Sequence, residues 1–493
     1  MPAGRRDLLK WGGLAVMTAV SGAGTAATAC SRSSQPSPPN GKSDHTVRIG
    51  TGTVELAPDR VVSTTTYNGQ FPGPLLRFTE GQQTWVDIYN DTDTPEQLHW
   101  HGQMVPVDVD GSAEEGTPFI PAHGMRRISF VPGPAGFRFY HTHLTARSDL
   151  SGGQYSGQVG PVYIEPKHNA GAYDQEIFLT LKEFQPTFSL EGDMPSDFLA
   201  GDEDPDLKDK GEPDMAESLA RGMPHGYEVS YGAFAINGRM LGHGEPIRVQ
   251  TGQRVLLHVL NGSATEARSL ALPGHTFTVI ALDGNPVPNP ASAPVLWLGA
   301  AERVSAIVEM TNPGVWILGD LSDEDREAGL GMVVEYVRRT GDPQWAPPPP
   351  FRWDYRRFAA PNPASQAPDH TIEMLIEKGN AADNGFNVWT INGKPFAMDT
   401  NEPVIDLQRG KRYRLRLRNA TDDIHPMHLH RHTFEITHVA GTPTAGVRKD
   451  VAMLGGYQSM DIDFVADQPG LSLLHCHQQL HMDYGFMALL HTT

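Results

Sequence analysis

The sequence predicts an all-β protein made of three consecutive β-sandwiches. Three observations predict this class: the length of the chain, a composition rich in turn-forming residues, and an internal repeat. A chain of 493 residues is too long for one compact core and implies roughly three domains. The 51 glycines and 40 prolines, with only 20% charged residues, indicate many turns between short strands, which is typical of sandwiches.

Each copy of the repeat contains a turn, an apolar strand, a glycine and an alternating strand that ends in asparagine. The turns are Asn68-Gly69, Asn237-Gly238 and Asn392-Gly393, the glycines are Gly81, Gly252 and Gly410, and the last residues are Asn90, Asn261 and Asn419. In the third copy Tyr413, Leu415 and Leu417 alternate with arginines, which predicts one buried and one wet face. The predicted domains are residues 45–167, residues 168–345, and a linker with the third domain at 346–493.

Residues 1–44 precede the first copy and predict an export signal followed by a disordered tether. Arg5 and Arg6 stand before a run of small, mostly apolar residues, which is the pattern of a twin-arginine signal. Cys30 directly follows an A-x-A cleavage pattern, so cleavage with release and a lipid anchor at Cys30 are both open. We therefore expect a periplasmic, extracellular or lipid-anchored protein.

The charge and the cysteine count narrow the classes of partner. A net charge of −19 and a pI near 5.5 argue against nucleic acid and anionic membrane surfaces as partners. No segment after the export signal is long and apolar enough to span a bilayer. The two cysteines are Cys30 in the export segment and Cys476 in a histidine motif, so no structural disulfide is expected.

Eleven of the 21 histidines fall in four short motifs, at residues 99–101, 141–143, 425–432 and 475–481. A His-x-His pair on a strand places both imidazoles on one face, so two such strands could enclose a metal. In the last motif Cys476 lies between His475 and His477, and its thiol would face the opposite way, toward a different metal. Thiolate and imidazole together are ligands that copper prefers. This motif therefore indicates a redox enzyme with a covalent electron path between two metal sites.

The middle copy of the repeat lacks these ligands. Residues 319–321, Gly-Asp-Leu, align with 141–143 and 475–477, and residues 271–273, Ala-Leu-Pro, align with 99–101 and 428–430. We therefore expect domain two to be a spacer, with the metals shared by domains one and three. The same alignment pairs His432 with His275, where no cluster survives, and predicts a structural hydrogen bond for both.

With these motifs in place, the chain resembles bacterial, exported three-domain multicopper oxidases of the laccase type, over nearly everything after residue 45, including Asn68–Pro74. The resemblance implies three cupredoxin-like Greek-key β-sandwiches and four copper ions. It implies type 1 copper at His425, Cys476 and His481, type 2 copper at His99 and His428, one type 3 copper at His101, His141 and His477, and the other at His143, His430 and His475.

Three positions bear on the comparison with that family. Phe486 stands at the type 1 axial position, where many bacterial relatives carry Met, and a non-ligating axial group should raise the potential. Met487 is adjacent, and a shifted register would make it a thioether ligand instead. Met482 stands where some relatives have a proton-relaying Glu. Asp110 matches the acid near the three-copper cluster and is the candidate proton donor, although Asp110-Gly111 is also a turn dipeptide.

The resemblance implies that a small-molecule donor gives up one electron at a time and that O2 is reduced to water. The electrons would pass through Cys476, His475 and His477, and the donor would be a phenol or an aromatic amine. A metallo-oxidase acting on Cu(I) or Fe(II) is the alternative, with less support because the 17 methionines form no Met-rich insert. A non-catalytic exported structural member of the fold is disfavoured because all the expected ligands are present. Natural substrate and oligomeric state stay open.

Overall fold

The structure is a computed structural model that describes residues 41–167, 172–190, 197–211, 226–361 and 366–493. The predicted export signal, with Arg5, Arg6 and Cys30, lies outside the described residues. Within the described part of the chain, none of the helices combines the length and the apolar character that a bilayer span requires.

Residues 45–165 form two four-stranded sheets, in the orders β2-β1-β4-β6 and β3-β8-β7-β5. Their elements are β1 (His45–Ala57), β2 (Arg60–Tyr67), β3 (Leu76–Thr79), β4 (Thr84–Asn90), β5 (His99–His101), α1 (Val107–Asp110), β6 (Met125–Phe130), β7 (Gly136–His141) and β8 (Val159–Glu165). Side chains of both sheets, such as Val86 and Phe78, meet in one buried core. We call this part region one.

Residues 175–336 form region two, with a six-stranded sheet β10-β9-β12-β17-β14-β15 and a five-stranded sheet β11-β19-β18-β13-β16. Its elements are β9 (Gln175–Ser189), β10 (Glu228–Ile236), β11 (Ile247–Val249), β12 (Arg254–Asn261), β13 (Arg268–Ala271), β14 (Phe277–Leu282), β15 (Asn285–Ala293), β16 (Val295–Leu298), β17 (Arg303–Glu309), β18 (Val315–Gly319), α2 (Asp323–Glu327) and β19 (Gly331–Tyr336). Residues 205–211 are also helical.

Residues 370–492 form region three, with a six-stranded sheet β21-β20-β23-β28-β25-β26 and a five-stranded sheet β22-β30-β29-β24-β27. Its elements are β20 (His370–Asp383), β21 (Phe386–Ile391), β22 (Val404–Leu407), β23 (Arg412–Asn419), β24 (His425–Leu429), β25 (Phe434–Val439), β26 (Thr442–Lys449), β27 (Val451–Leu454), β28 (Ser459–Val465), β29 (Gly470–Cys476), α3 (Gln479–Asp483) and β30 (Met487–Thr492). The predicted all-β class of sandwiches is confirmed.

The predicted repeat recurs in the pairing of the strands. β1 runs parallel to β4, β9 to β12, and β20 to β23, while β3 runs parallel to β8, β11 to β19, and β22 to β30. The alternating strand of each copy ends at its predicted asparagine, and in each case the side-chain amide donates to two backbone carbonyls. One local hydrogen-bonding pattern has thus been kept in all three regions.

The structure also supports the alignment that left the middle copy without ligands. His99 pairs directly with His141 across β5 and β7, and His428 pairs with His475 across β24 and β29. The equivalent pair between β13 and β18 is Ala271 with Gly319. The same backbone positions therefore face each other in all three regions, and in region two they are occupied by an alanine and a glycine, which offer no metal-binding side chain.

Strand β23 shows why the alternating sequence pattern predicts its environment. Tyr413, Leu415 and Leu417 point into the core and are buried. The arginines between them lie on the other face, where Arg414 donates from Nε to Asp463 Oδ1 at 2.8 Å. Because successive side chains on a strand point to opposite faces, one sequence pattern gives both the core contact and the ion pairs.

Glu96 is a buried acid of region one, and its carboxylate accepts a hydrogen bond from Gln158 Nε2 at 3.1 Å. Burial raises its pKa to about 7 from an ordinary 4.5. A raised folded-state pKa favours folding below the unfolded pKa, and this stabilisation is lost as the pH rises through 7. We expect Glu96→Gln to remove that loss, which raises the unfolding free energy at pH 8 by about 3 kcal/mol relative to the parent.

Calorimetric melting at pH 5 and pH 8 measures this effect. The melting temperature of the parent should fall more between these two pH values than that of Glu96→Gln. Asp59→Asn, at an exposed turn of the same region, is the control and should leave the pH dependence unchanged. Equal pH dependence in the parent and in Glu96→Gln would contradict the prediction.

Candidate metal centre

The thiol site consists of His425 at the start of β24, Cys476 at the end of β29, and His481 in α3. Cys476 Sγ lies 3.8 Å from His425 Nδ1 and 3.5 Å from His481 Nδ1. All three side chains are buried. Burial raises the pKa of the Cys476 thiol, so a metal ion is needed to stabilise the thiolate there.

An aromatic wall covers the thiol site. The ring of Trp389 lies 4.0 Å from His481 and 4.9 Å from His425, measured between centroids. Phe486 is fully buried, and its ring lies 4.8 Å from that of His425. Met487 points the other way and packs with Met482. The axial role given to Phe486 thus has geometric support over Met487, and it stays a prediction.

Eight other histidines form a second group, the histidine cluster. They are His99, His101, His141, His143, His428, His430, His475 and His477, and each is at most 2% exposed. Rings of regions one and three stack on each other, with centroids 4.0 Å apart for His99 and His430 and 3.8 Å apart for His101 and His428. The cluster therefore lies at the junction of regions one and three.

Within this cluster, ligand atoms lie within 4.8 Å of one another in three sets, which are His99 with His101 and His428, His101 with His141 and His477, and His143 with His430 and His475. The last two are the sets that the sequence analysis named for the type 3 coppers, and the first contains its type 2 pair. Among the described residues, region two contributes to none of these sets. The structure brings the predicted ligands together, while their role as copper ligands stays a prediction.

Hydrogen bonds decide which nitrogen of each ring faces the cluster. In five rings the Nδ1 atom lies within hydrogen-bond distance of a protein oxygen. Four of these oxygens are backbone carbonyls, with distances of 2.9 Å from His99 to Asp110, 2.7 Å from His141 to Thr142, 2.7 Å from His428 to Asp450 and 2.8 Å from His475 to Cys476. The fifth is the Asp110 carboxylate, which lies 3.0 Å from His430. The Nε2 atoms of these five rings are left to face the cluster. His101 is reversed, because its Nε2 lies 3.1 Å from Asp450 Oδ1 and its Nδ1 lies 3.3 Å from His141 Nε2.

Two observations fit metal ions at the histidine cluster. Burial lowers the pKa of His101, His141, His428, His430, His475 and His477. Neutral imidazoles are the form that binds a metal. In addition, the Nε2 atoms of His99 and His428 are buried without any hydrogen-bond partner. A buried nitrogen without a partner is costly, and a bound metal ion would satisfy it.

Three buried carboxylates line the cluster on the side of α1. Asp110 Oδ2 lies 3.0 Å from the Nδ1 atoms of both His99 and His430. Glu114 Oε2 lies 3.3 Å from His143 Nδ1, and although burial opposes it, this imidazole lowers the pKa of Glu114 to about 2. Asp110 also ends α1, so its predicted turn role and its place at the cluster are both present.

Glu114 and Glu115 were not among the site residues predicted from the sequence. Glu115 Oε1 accepts a hydrogen bond from Leu473 N at 2.6 Å and lies 3.2 Å from His430 Nδ1. Burial, with the nearby charge of Asp110, raises the pKa of Glu115. The available signal was the acidic pair at 114–115, which shortly follows Asp110-Gly111.

His432 and His275 have the structural role that the repeat alignment predicts. His432 Nδ1 lies 3.0 Å from the carbonyl of His430, and His275 Nδ1 lies 2.8 Å from the carbonyl of Pro273. Each ring thus binds the carbonyl two residues earlier. His432 belongs to none of the sets that could bind a metal.

Helix α3 is fastened to the segment that follows His143. Gln479 Oε1 accepts from Gln154 N at 3.0 Å, and its Nε2 donates to the Leu144 carbonyl at 3.1 Å. The same Nε2 donates to Asp483 Oδ1 at 2.8 Å. The segment that carries His481 is thereby tied to region one by buried hydrogen bonds.

Comparisons with known proteins agree with this geometry. Three family models, each described as multicopper oxidase, match residues 48–169, 209–333 and 366–493. The chain is 30% identical to the multicopper oxidase MmcO of Mycobacterium tuberculosis over 90% of this chain and 88% of that protein. It is 25% identical to laccase-2 of Fomitopsis schrenkii over 86% and 84%. The crystal structure of Fet3p, a multicopper oxidase that functions in iron import, matches with a TM-score of 0.72 and 18% identity over 91% and 90%.

The hydrogen bonds of Gln479 give a stability prediction. Gln479→Met keeps the size of the side chain but removes the partner of the buried N–H of Gln154 and of the half-buried carbonyl of Leu144. Because each such group costs about 1–3 kcal/mol, we expect a loss of roughly 3 kcal/mol in unfolding free energy. Denaturant unfolding measures it, with Gln83→Met at an exposed position as the control. A change no larger than that of the control would show that these hydrogen bonds do not matter.

Proposed function

The chain belongs to the multicopper oxidase family, and we propose that it takes single electrons from phenols or aromatic amines and passes them to O2. Members of this family are copper oxidoreductases that use O2, and this chain is one of them. What is proposed is the class of donor, the number of coppers and the residues that bind them. The observation that carries the proposal is the meeting of the thiol site and the histidine cluster on one strand, β29.

The proposed ligands follow the observed sets. We assign one copper to His425, Cys476 and His481, one to His99 and His428, one to His101, His141 and His477, and one to His143, His430 and His475. These ions would supply one-electron oxidation of the donor and four-electron reduction of O2 to water. The domain bounds 45–167, 168–345 and 346–493 are part of the same proposal.

The protein connects the thiol site to the histidine cluster and shields the thiol site from water. Cys476 belongs to the thiol site, and its two neighbours in the chain, His475 and His477, belong to the histidine cluster. The path between the two sites is therefore made of covalent bonds. Trp389 and Phe486 exclude water from the thiol site, and Asp110 fixes the orientation of His99 and His430. Asp110 stays the candidate proton donor.

The charges near the thiol site bear on the class of donor. Asp422 Oδ1 and Asp423 Oδ2 lie 2.6 Å and 2.9 Å from Lys378 Nζ. Burial lowers the pKa of both His425 and His481, and the negative charge of Asp423 acts on both in the opposite direction. Carboxylates suit metal-ion donors, and iron import by Fet3p makes such donors the second candidate. In this chain an ammonium group already lies between the two carboxylates, which favours neutral organic donors.

We propose that the protein is exported, without assigning the export route. The twin-arginine route and a lipid anchor at Cys30 rest on residues 1–40, which lie outside the described part of the chain. A small-molecule donor and O2 are the proposed partners. The net charge of −19 argues against nucleic acid as a partner.

The donor class is tested by O2 uptake of the copper-loaded protein. Equal concentrations of 2,6-dimethoxyphenol, Cu(I) and Fe(II) are compared, and we expect the phenol to be oxidised fastest, with water as the product. Cys476→Ser should lose the blue colour and the turnover together, because it removes the thiolate and the covalent path. Faster uptake with Cu(I) or Fe(II) would establish the metallo-oxidase alternative, and no uptake with any donor would contradict an oxidase.

The axial position gives a separate prediction. Phe486→Met introduces a thioether beside His425, and a coordinating axial sulfur should lower the potential of the proposed type 1 copper. Redox titration of the blue absorption measures that potential. Met487→Leu, on the other side of β30, is the matched control and should leave it unchanged. An unchanged or raised potential in Phe486→Met would contradict the axial role of Phe486.

A further inference from the structure

Six buried charged residues lie where the three regions meet, and we call them the seam charge cluster. They are Arg138 of region one, Asp283, Glu302 and Arg303 of region two, and Lys449 and Asp450 of region three. Each is at most 2% exposed. The three cations and three anions balance in charge. A balanced cluster avoids the large cost of an unpaired buried charge.

Asp450 is the centre of this cluster. Arg303 contacts it with both ends of its guanidinium, since Nη1 lies 2.7 Å from Oδ1 and Nη2 lies 2.6 Å from Oδ2. Arg138 Nη1 donates to Oδ2 from the other side at 3.1 Å. Such a two-pronged contact fixes the plane of the carboxylate as well as its position. The orientation of Asp450 therefore depends on an arginine of region two.

Asp283 completes the connection from region two to region three. Its Oδ1 accepts from the backbone N–H of Arg303 at 2.9 Å, and its Oδ2 lies 3.0 Å from Lys449 Nζ. The same Oδ2 accepts from the backbone N–H groups of Asp450 and Val451, at 3.2 Å and 3.1 Å. Region two thus binds the backbone of Asp450 with one residue and its side chain with another.

Asp450 in turn contacts two members of the histidine cluster. Its Oδ1 lies 3.1 Å from His101 Nε2, and its carbonyl oxygen lies 2.7 Å from His428 Nδ1. The first contact fixes the orientation of His101, which is reversed relative to the five rings whose Nδ1 atoms bind protein oxygens. The two rings stack on each other with centroids 3.8 Å apart. One carboxylate residue therefore sets the orientation of a stacked pair that joins regions one and three.

At Gly102 the seam charge cluster packs tightly against the His99–His101 motif. Gly102 has a φ of 75°, and a Cβ added there would lie 2.5 Å from Asp450 Oδ2 and 2.7 Å from Arg303 Nη2. A side chain at this position would displace the Arg303–Asp450 pair. The glycine after the His-x-His motif is thus required by a contact from another region of the chain.

We propose that Arg303, a residue of region two, which contributes none of its described residues to the histidine cluster, is a positioning residue for that cluster, the proposed site of three coppers. It acts through Asp450, which holds His101 with Nδ1 toward the cluster and His428 with Nε2 toward it. Region two then has a role beyond that of a spacer. The inference rests on the copper assignment of the proposed function and adds a determinant that contacts no copper ligand itself.

The test compares copper-loaded Arg303→Met with the parent protein. Copper per chain is measured by elemental analysis after dialysis against a chelator, the thiol site by its blue absorption, and the proposed type 2 copper by electron paramagnetic resonance. We expect the blue absorption to be retained and the cluster copper to be bound ~10–100-fold more weakly, as is typical when a residue that orients a ligand is lost. Selective loss at one of the two sites is the signature that general destabilisation would not produce.

Two further variants keep the test decisive. Arg303→Lys retains the charge but can make only one of the two contacts, so it should fold and show an intermediate loss. Arg268→Met breaks a partly buried ion pair of region two, with Asp325 at 2.9 Å, and this pair touches no histidine of the cluster. It should lower stability without any selective loss of cluster copper. The Arg303–Asp450 pair is more buried than the Arg268–Asp325 pair, so the two variants are compared by the ratio of cluster copper to thiol-site copper, which a loss of stability alone would not change.

The outcomes separate this inference from the proposed function. Full retention of cluster copper in Arg303→Lys and Arg303→Met would overturn the positioning role, while the proposed function would stand on the parent's blue colour. The same selective loss in Arg268→Met would overturn it as well. A parent protein that binds no copper at all would refute the proposed function and this inference together.

Discussion

The constraint on which the rest of the structure depends is the burial of eight imidazoles at the junction of two β-sandwiches. These rings come from strands far apart in the chain, and stacked pairs such as His99 with His430 join region one to region three. Burial keeps most of them neutral, and their hydrogen bonds to carbonyl and carboxylate oxygens leave nitrogens without partners. Such a group is unfavourable in an apoprotein core and favourable around metal ions, so the fold at this junction and metal binding are coupled.

Strand β29 contributes residues to both the thiol site and the histidine cluster. On a strand neighbouring side chains diverge, and here Cys476 turns toward His425 while His475 lies opposite His428. Helix α3 then returns the chain to the thiol site and brings His481 to it. Because the helix is fastened to region one through Gln479, the thiol site and the histidine cluster cannot shift independently.

Region two shows that a repeat can lose its ligands and still shape the site. Its strands β13 and β18 face each other with Ala271 and Gly319 at the positions that carry histidines elsewhere. Yet Arg303 and Asp283 belong to the seam charge cluster, and they hold Asp450 by its side chain and its backbone, respectively. Region two thus supplies charges that the other two regions do not provide, and these charges hold a residue that contacts the histidine cluster.

The sequence by itself determined the all-β class, the threefold repeat, the loss of ligands in the middle copy and the set of histidines that meet. These follow from local rules: strand alternation, asparagine-glycine turns and the spacing of His-x-His motifs. Only the tertiary structure decided that Glu114 and Glu115 join Asp110 at the cluster, and that Arg138 and Arg303 converge on Asp450. The Arg138–Asp450 contact joins residues 312 positions apart, and no periodic pattern marks it. Buried ion pairs between domains depend on how whole sheets pack, so they become visible only once the regions are assembled.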